Sequence, residues 1–395
     1  MPPVVIPPQF TRRTLARAAL VPVAIALRPR RASADSDMIA QMRDIVAEEL
    51  APTATPDHPG GLAAALYAGQ HIEFFNYGLA DGATKRPVKP DTLFSLASLR
   101  KPFEATLVAL GALRGELRLD DPLPKYLPEL DGDYVRRVTV GELATHTSGL
   151  LLPTDHPPWP NDSYSQTQFI AMLNAWTPPA GVAPGKQRIY SHAGYVLLQL
   201  VLERCYHTPI AGLIESRVLT PLGMQATSIP ECGAHNRAIM DAASMRRVVQ
   251  GYSDQGGAIG PIGNQQSYFD FPGTGQMFSS ARDLAAFVAA AVDGRSIDPN
   301  LREALSMTQR ERFRVDQRFA QATFGQSMAW ETVHLPGVTV VDKPGGLNNA
   351  SGYIGLVPAH RIGIVLLANR GEYPHEIARY KILPALAHLV SSHGG

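Results

Sequence analysis

The chain has 395 residues, 45% hydrophobic and 18% charged, enough for one large core or two ordinary ones and far from disordered or fibrous composition. A formal net charge of +1 provides no global field to gather nucleic acid or anionic lipid, and no dense run of Lys and Arg interleaved with aromatics occurs. The two cysteines, Cys205 and Cys232, exclude a disulfide framework, and without CxxC or paired Cys/His spacing they argue against structural zinc or an iron–sulfur cluster.

The charge is unevenly placed. Residues 1–34 hold six arginines and no acid, which leaves 30 basic against 35 acidic residues in the remainder, a net charge of −5. Within that segment Thr11-Arg12-Arg13-Thr14-Leu15 precedes an apolar run from Ala18 to Leu27, and Ala32-Ser33-Ala34 follows. A basic region, a short apolar region and an A-x-A site make a secretory signal, and the paired arginines resemble the twin-arginine type. The apolar run is shorter than the roughly 20 residues that span a bilayer, so stable membrane insertion is not expected. We expect residues 1–34 to be an export signal, with a mature protein from Asp35 working in the periplasm.

In chain order, apolar residues at three- and four-residue steps predict an amphipathic helix over Asp37–Leu50. Leu62–Ala68 and His71–Leu79 read as strands joined by a turn at Gly69-Gln70. Helical signals then cover Pro102–Leu113, Val140–Thr145, Gln166–Ala175, Gly194–Tyr206, Pro209–Val218 and Ala281–Val292. Strands return at Val338–Asp342, Gly352–Val357 and Arg361–Ala368, before a last helix at Glu376–Val390. Strands at both chain ends around a helical middle predict an α+β, two-lobed fold, and the short turn Pro358–His360 makes the sheet antiparallel. The expected division is a sheet lobe of residues 35–95 and 330–395 beside an inserted all-helical lobe of 96–329, together one catalytic domain.

Ser98 and Lys101, within Phe94-Ser95-Leu96-Ala97-Ser98-Leu99-Arg100-Lys101, stand three apart where an extended stretch opens a helix, so they share one face. A serine hydroxyl needs a neighbour to take its proton, and a desolvated lysine can do so. The free N–H of Ser98 at the helix start is also suited to an oxyanion. A four-residue pattern occurs by chance, and its weight comes from two further pieces: Tyr190-Ser191-His192 before a helix, and Lys343-Pro344-Gly345-Gly346 ending a strand.

In this order the three pieces form the pattern of serine β-lactamases and penicillin-binding proteins. The chain resembles class C β-lactamases over nearly all of residues 37–390. Shared stretches include Tyr77-Gly78-Leu79-Ala80-Asp81, Leu143-Ala144-Thr145-His146-Thr147-Ser148-Gly149, Pro184-Gly185-Lys186-Gln187-Arg188-Ile189-Tyr190, Pro221-Leu222-Gly223-Met224 and Gly363-Ile364-Val365-Leu366-Leu367-Ala368-Asn369. The resemblance implies an antiparallel sheet flanked by helices, with an all-helical lobe beside it. It also implies roles: Ser98 as nucleophile, Lys101 and Tyr190 relaying its proton, the N–H groups of Ser98 and Gly346 as oxyanion hole, and Lys343 holding a substrate carboxylate. No cofactor or metal is implied. The partner is a small-molecule substrate, a β-lactam or a related ester or D-amino-acid peptide, and the protein is expected to be a monomer.

Three positions depart from the family pattern. His192 stands for the usual asparagine, Pro344 for the usual threonine, and Leu150-Leu151-Leu152-Pro153-Thr154 lacks the usual glutamine. All three belong to substrate recognition, His192 among the substrate-binding residues. They keep two alternatives open: an esterase or D-Ala-D-Ala carboxypeptidase or D-aminopeptidase on the same scaffold, and a penicillin-binding sensor that acylates without turnover. Of the remaining residues, His71, His146, His156 and His207 form no ligand spacing and read as loop or surface positions.

Overall fold

The computed structural model describes residues 29–53, 60–150, 165–232, 237–264, 276–319, 321–371 and 375–393. Residues 1–28 of the expected signal, most of the 150–154 segment and His156 lie outside them. The chain divides into two units, Met1–Asp37 and Met38–Gly395.

The second unit is built on a nine-stranded antiparallel sheet. The strands are β1 (Gly61–Ala68), β2 (His71–Asp81), β3 (Arg86–Pro87), β8 (Phe313–Phe319), β9 (Ala322–Gln326), β10 (Glu331–Leu335), β11 (Val338–Leu347), β12 (Ala350–Val357) and β13 (Ile362–Ala368), in spatial order β3-β2-β1-β13-β12-β11-β10-β9-β8. Two short pairs stand apart, β4 (Phe94–Ser95) with β7 (Phe278–Ser279) and β5 (Glu231–Cys232) with β6 (Ala238–Ile239). The N-terminal hairpin joins the C-terminal strands through β1 and β13, Leu62 facing Ala368 and Ala68 facing Ile362. All five expected strands are present. The expected start of the C-terminal sheet residues at 330 is corrected to Phe313. The strand β8 there, Phe-Arg-Val-Asp-Gln-Arg-Phe, has three consecutive polar residues and a register shift against β9 between Val315 and Arg318, so neither an apolar run nor a clean alternation marks it.

The sheet is covered on both faces, which explains its near-continuous apolar strands. Ala63, Ala65, Val365, Leu367 and Ile354 point to one core with helices α2 (Lys101–Arg114), α5 (His192–Tyr206) and α9 (Ala281–Val292). Their neighbours Leu62, Ala64, Ile364, Leu366 and Tyr353 point to another. That second core takes Met42, Val46 and Leu50 from α1 (Pro29–Leu50) and Leu383 and Leu386 from α12 (Leu383–His393). Between the sheet segments come α3 (Val140–Ala144), α4 (Gln166–Asn174), α6 (Ile210–Ile214), α7 (Thr220–Leu222), α8 (Ala242–Met245) and α10 (Pro299–Gln309), with α11 (His375–Ile377) before α12. The expected helices over 209–218 and 376–390 each contain a π turn, Glu215–Leu219 and Ala378–Ile382. Cys205 is a free thiol whose Sγ faces the Glu116 carbonyl at 3.6 Å. Among the described residues no helix is long and apolar enough to cross a membrane.

The α2 helix carries an unusual load at its start. Arg100 and Glu104, both with fully buried side chains, lie 2.7 Å apart, and Arg100 also donates to Gln199 Oε1 at 2.8 Å. Burial pushes the Glu104 carboxyl up to about 7, against the pull of Arg100 and Lys101. Removing one member strands a charge in the core. Glu104→Ala is therefore expected to lower the unfolding free energy by about 3–5 kcal/mol, read from urea denaturation. The apolar double replacement Arg100→Met with Glu104→Leu should recover most of that loss.

Candidate active site

Ser98 sits on a 3-10 turn, Ala97–Arg100, that runs directly into α2. Ala97, immediately before it, has φ 47°, a left-handed conformation uncommon for a residue with a side chain, and is buried at 1% exposure. This kinked entry presents Ser98 at the start of the helix, and Lys101 follows one turn later on the same face. Lys101 is fully buried and its Nζ donates to Ser98 Oγ at 3.1 Å.

Tyr190 is brought to the same hydroxyl by a different device. Ser191 caps α5, its Oγ accepting from the Gly194 N–H at 3.0 Å. The residue before that cap is thereby fixed, and Tyr190 OH lies 2.7 Å from Ser98 Oγ. Lys343, on β11 and 3% exposed, places Nζ 4.6 Å from the Tyr190 ring centroid. Burial opposes ionisation of the Tyr190 phenol. The charges of Lys101, Lys343 and His192 and the hydrogen bond with Ser98 outweigh it, and the pKa is pulled down to about 6.

These groups line a cleft of about 1190 Å³ that also exposes Arg188, Glu331, Pro344, Gly345, Gly346, Arg370 and His375. One wall is β11. The last pair between β10 and β11 is Glu331 with Asp342, whereas pairing with β12 continues to Leu347. Among the described residues, 343–347 therefore have a strand partner on one side only, and their other edge borders the cleft. Gly345 is where this strand meets the nucleophile turn. A Cβ there would stand 3.0–3.1 Å from Leu96 O, Leu99 N and Ser98 N, so a side chain would force the two backbones apart. Gly346 has open space beside it.

All six residues singled out from the sequence, Ser98, Lys101, Tyr190, His192, Lys343 and Gly346, line this cleft or lie directly beneath it. His192 is the first residue of α5, its ring edge-on to Tyr190 at 5.3 Å between centroids. Pro344 sits within β11 opposite Tyr353.

Sequence reasoning missed three participants. Arg188 donates to Glu331 Oε1 at 2.9 Å and to Gln326 Oε1 at 3.0 Å. Glu331, its carboxyl held low by Lys343, Arg379 and Arg188 although burial opposes this, accepts from Arg379 at 2.7 Å. Arg188 lies in a stretch shared with the family, two residues before Tyr190, but no role marks it there, and Glu331 lies in a stretch with no motif. His146, expected at a loop or surface, is corrected to a buried residue at 1% exposure, packed against Tyr190 with ring centroids 4.3 Å apart. Its neighbours in Thr-His-Thr-Ser are polar, and only the fold turns that segment inward.

With this geometry in place, comparison with known proteins is decisive. The β-lactamase family model matches residues 43–387. The chain belongs to the β-lactamase family. Relatives include a β-lactamase from Pseudomonas fluorescens, 27% identical over 85% of this chain and 95% of its own length. A β-lactamase from Yersinia enterocolitica is 28% identical over 88% of this chain and 92% of its own. Among solved structures, the D-alanine carboxypeptidase AmpC from Burkholderia cenocepacia is 28% identical with a TM-score of 0.70, over 90% of this chain and 99% of its own. A class C β-lactamase is 25% identical with a TM-score of 0.71, over 89% and 96%. The expected two-lobed β-lactamase fold thus holds, and this β-lactamase-family chain is a serine hydrolase of the class C type.

The charge arrangement makes a pH prediction. If Tyr190 must be ionised to accept the Ser98 proton, the acylation rate rises with pH through about 6. Lys343→Ala removes one of the cations that favour the phenolate, and the rising limb should move up by roughly 1–3 pH units, measured as kcat/KM against pH. An unmoved limb would dissociate Lys343 from the ionisation of Tyr190.

Proposed function

We propose that this protein opens the β-lactam amide bond through an acyl-enzyme on Ser98. The observation that carries the reading is the hydroxyl of Ser98 held between Tyr190 OH at 2.7 Å and Lys101 Nζ at 3.1 Å, beside the unpaired edge of β11. Tyr190 as phenolate takes the Ser98 proton while Lys101, donating to Oγ, steadies the developing alkoxide. Oγ attacks the lactam carbonyl, and the negative oxygen is received by the N–H groups of Ser98 and Gly346. The C–N bond breaks as the Tyr190 proton passes to the leaving nitrogen. A water activated by the regenerated phenolate then hydrolyses the ester. Lys343 receives the substrate carboxylate, and His192 faces the same space.

A second reading, D-alanine carboxypeptidase, is favoured by one specific observation: the similar solved structure from Burkholderia cenocepacia is named for that activity. Both substrates present a carboxylate and an acyl group to the same nucleophile. The departures His192 and Pro344 lie on the side that tells them apart.

We further propose that residues 1–34 direct export to the periplasm. The ordered basic, apolar and Ala-Ser-Ala regions support this, as does the absence of acid before Asp35. The full chain produced in a bacterial host should then appear in the periplasmic fraction with Asp35 at its N-terminus, and Arg12→Lys with Arg13→Lys should retain it inside.

Turnover of a chromogenic cephalosporin, a p-nitrophenyl ester and a D-Ala-D-Ala peptide by residues 35–395 decides among the substrates. Cephalosporin hydrolysis, abolished by Ser98→Ala, is the expected result. Peptide cleavage without cephalosporin turnover would establish the second reading instead. His192→Asn, which restores the family's amide, should raise cephalosporin turnover if the histidine sets specificity.

A further inference from the structure

The reaction leaves one enclosed residue of the site without a part. His146 follows α3 in a left-handed conformation, φ 53°, where a side chain is disfavoured and glycine or asparagine would be at home. Three of its contacts converge on one neighbour. The His146 carbonyl accepts from the Ile189 N–H at 2.8 Å. Its Nδ1 accepts from the Ser191 N–H at 3.3 Å. Its ring lies over the Tyr190 ring at 4.3 Å, tilted by 35°, with Tyr195 on another side at 4.9 Å. One residue thus holds the peptide N–H before Tyr190 and the one after it, and packs against the phenol between them.

Since Nδ1 accepts, the imidazole proton of the neutral ring is on Nε2, and Nε2 is buried with no hydrogen-bond partner among the described residues. A second ring proton would set a donor against the Ser191 N–H. Burial holds the imidazole neutral to well below its ordinary pKa. The cations facing it from other elements, Lys343 on β11, Lys101 on α2, Arg188 and His192, act in the same direction. The neighbouring Tyr195 hydroxyl is committed elsewhere, donating to the Ala144 carbonyl at 2.9 Å. The left-handed turn has a function here: it aims carbonyl and ring at the same segment.

We propose that His146 is a positioning residue for Tyr190, a clamp that seats the phenol against Ser98 by accepting the Ser191 N–H and covering the ring face. This rests on the reading that Tyr190 takes the Ser98 proton. Misplacement by about 1 Å in such a site is worth up to about 100-fold in rate, while substrate contacts elsewhere in the cleft are untouched. The defect is therefore expected in kcat and in the pH limb, with KM nearly unchanged.

Three variants separate clamp from packing. His146→Phe keeps a ring and loses the acceptor. His146→Asn keeps an acceptor in the same place and tolerates the left-handed backbone. His146→Ala loses both. With a p-nitrophenyl ester as acyl donor, Phe and Ala variants should lose about 10- to 100-fold in kcat. Their rising pH limb should move above its position near 6, because a displaced phenol sits farther from Lys101 and Lys343. The Asn variant should recover much of the rate and the limb. Rates that follow thermal stability alone, with the limb unmoved in all three, would overturn the clamp. Should His146→Ala fail to fold, the contrast between Phe and Asn decides. Tyr190→Phe keeps the two failures apart. If it retains activity, the role of Tyr190 falls. If it is inactive while His146→Phe behaves as the parent, only the clamp falls. In a background of Tyr190→Phe, adding His146→Phe should cost nothing further in residual acylation.

Discussion

An ionisable phenol packed into the base of the cleft is the constraint from which the surrounding structure follows. Burial alone drives a tyrosine towards its neutral form, and here cations reverse that direction. Those cations are themselves enclosed and need partners. Lys343, which burial pushes below its ordinary value, is drawn back by Tyr190 and Glu331. Glu331 is in turn shared by Arg188 and Arg379, and Arg379 reaches Asp342 at 2.6 Å, where Tyr353 also donates at 2.8 Å. Charge alternates from the reacting hydroxyl through the sheet to the C-terminal π turn that carries Arg379. A buried network of this kind is stable only when every member is satisfied.

The period of two along a strand makes that network buildable. On β11, Val340 and Asp342 face the core beneath α1 and α12, while Val341 and Lys343 face the other side. Adjacent residues of opposite charge thus serve opposite faces, Asp342 anchoring Arg379 and Lys343 entering the cleft. Two residues further on, Gly345 lets the same strand touch the backbone of the Ser98 turn. The strained Ala97 completes the junction from the other side. Nucleophile and strand edge are therefore registered by backbone contact, a stiffer coupling than side-chain packing supplies.

What was legible in the sequence tracks how locally each feature is encoded. Ser98 and Lys101 share a helix face by spacing alone, and Tyr190 and Lys343 stand beside local signals, a helix cap and a strand end. Strands β1, β12 and β13 are apolar on both faces and announce themselves, and β2 and β11 carry shorter aromatic or β-branched runs. The arginine-bearing β8 and the short β9 and β10 do not stand out, so the sequence places the edge of the sheet at β11, three strands too early. Arg188, Glu331 and His146 were silent for a different reason. Their meaning lies in partners 138, 143 and 45 residues away, respectively, and in burial that only the fold imposes.

The same distinction explains why the reaction is better defined than its substrate. Proton transfer requires a few atoms within hydrogen-bond reach, and Ser98, Lys101 and Tyr190 meet that condition in one small volume. Recognition is spread along the open edge of β11 and the far wall of the cleft. There Pro344 removes one backbone donor from the strand edge while keeping its carbonyl acceptor, two residues before the proposed oxyanion donor Gly346. On the proposed reading, substrate orientation then depends more heavily on charge: Lys343 at the centre, with Arg370 along the cleft wall. A cleft that orients by cations more than by strand pairing favours a carboxylate at a set distance from the acyl carbon. It is less exacting about the side chain in between, and His192, edge-on to Tyr190, lines the same cleft.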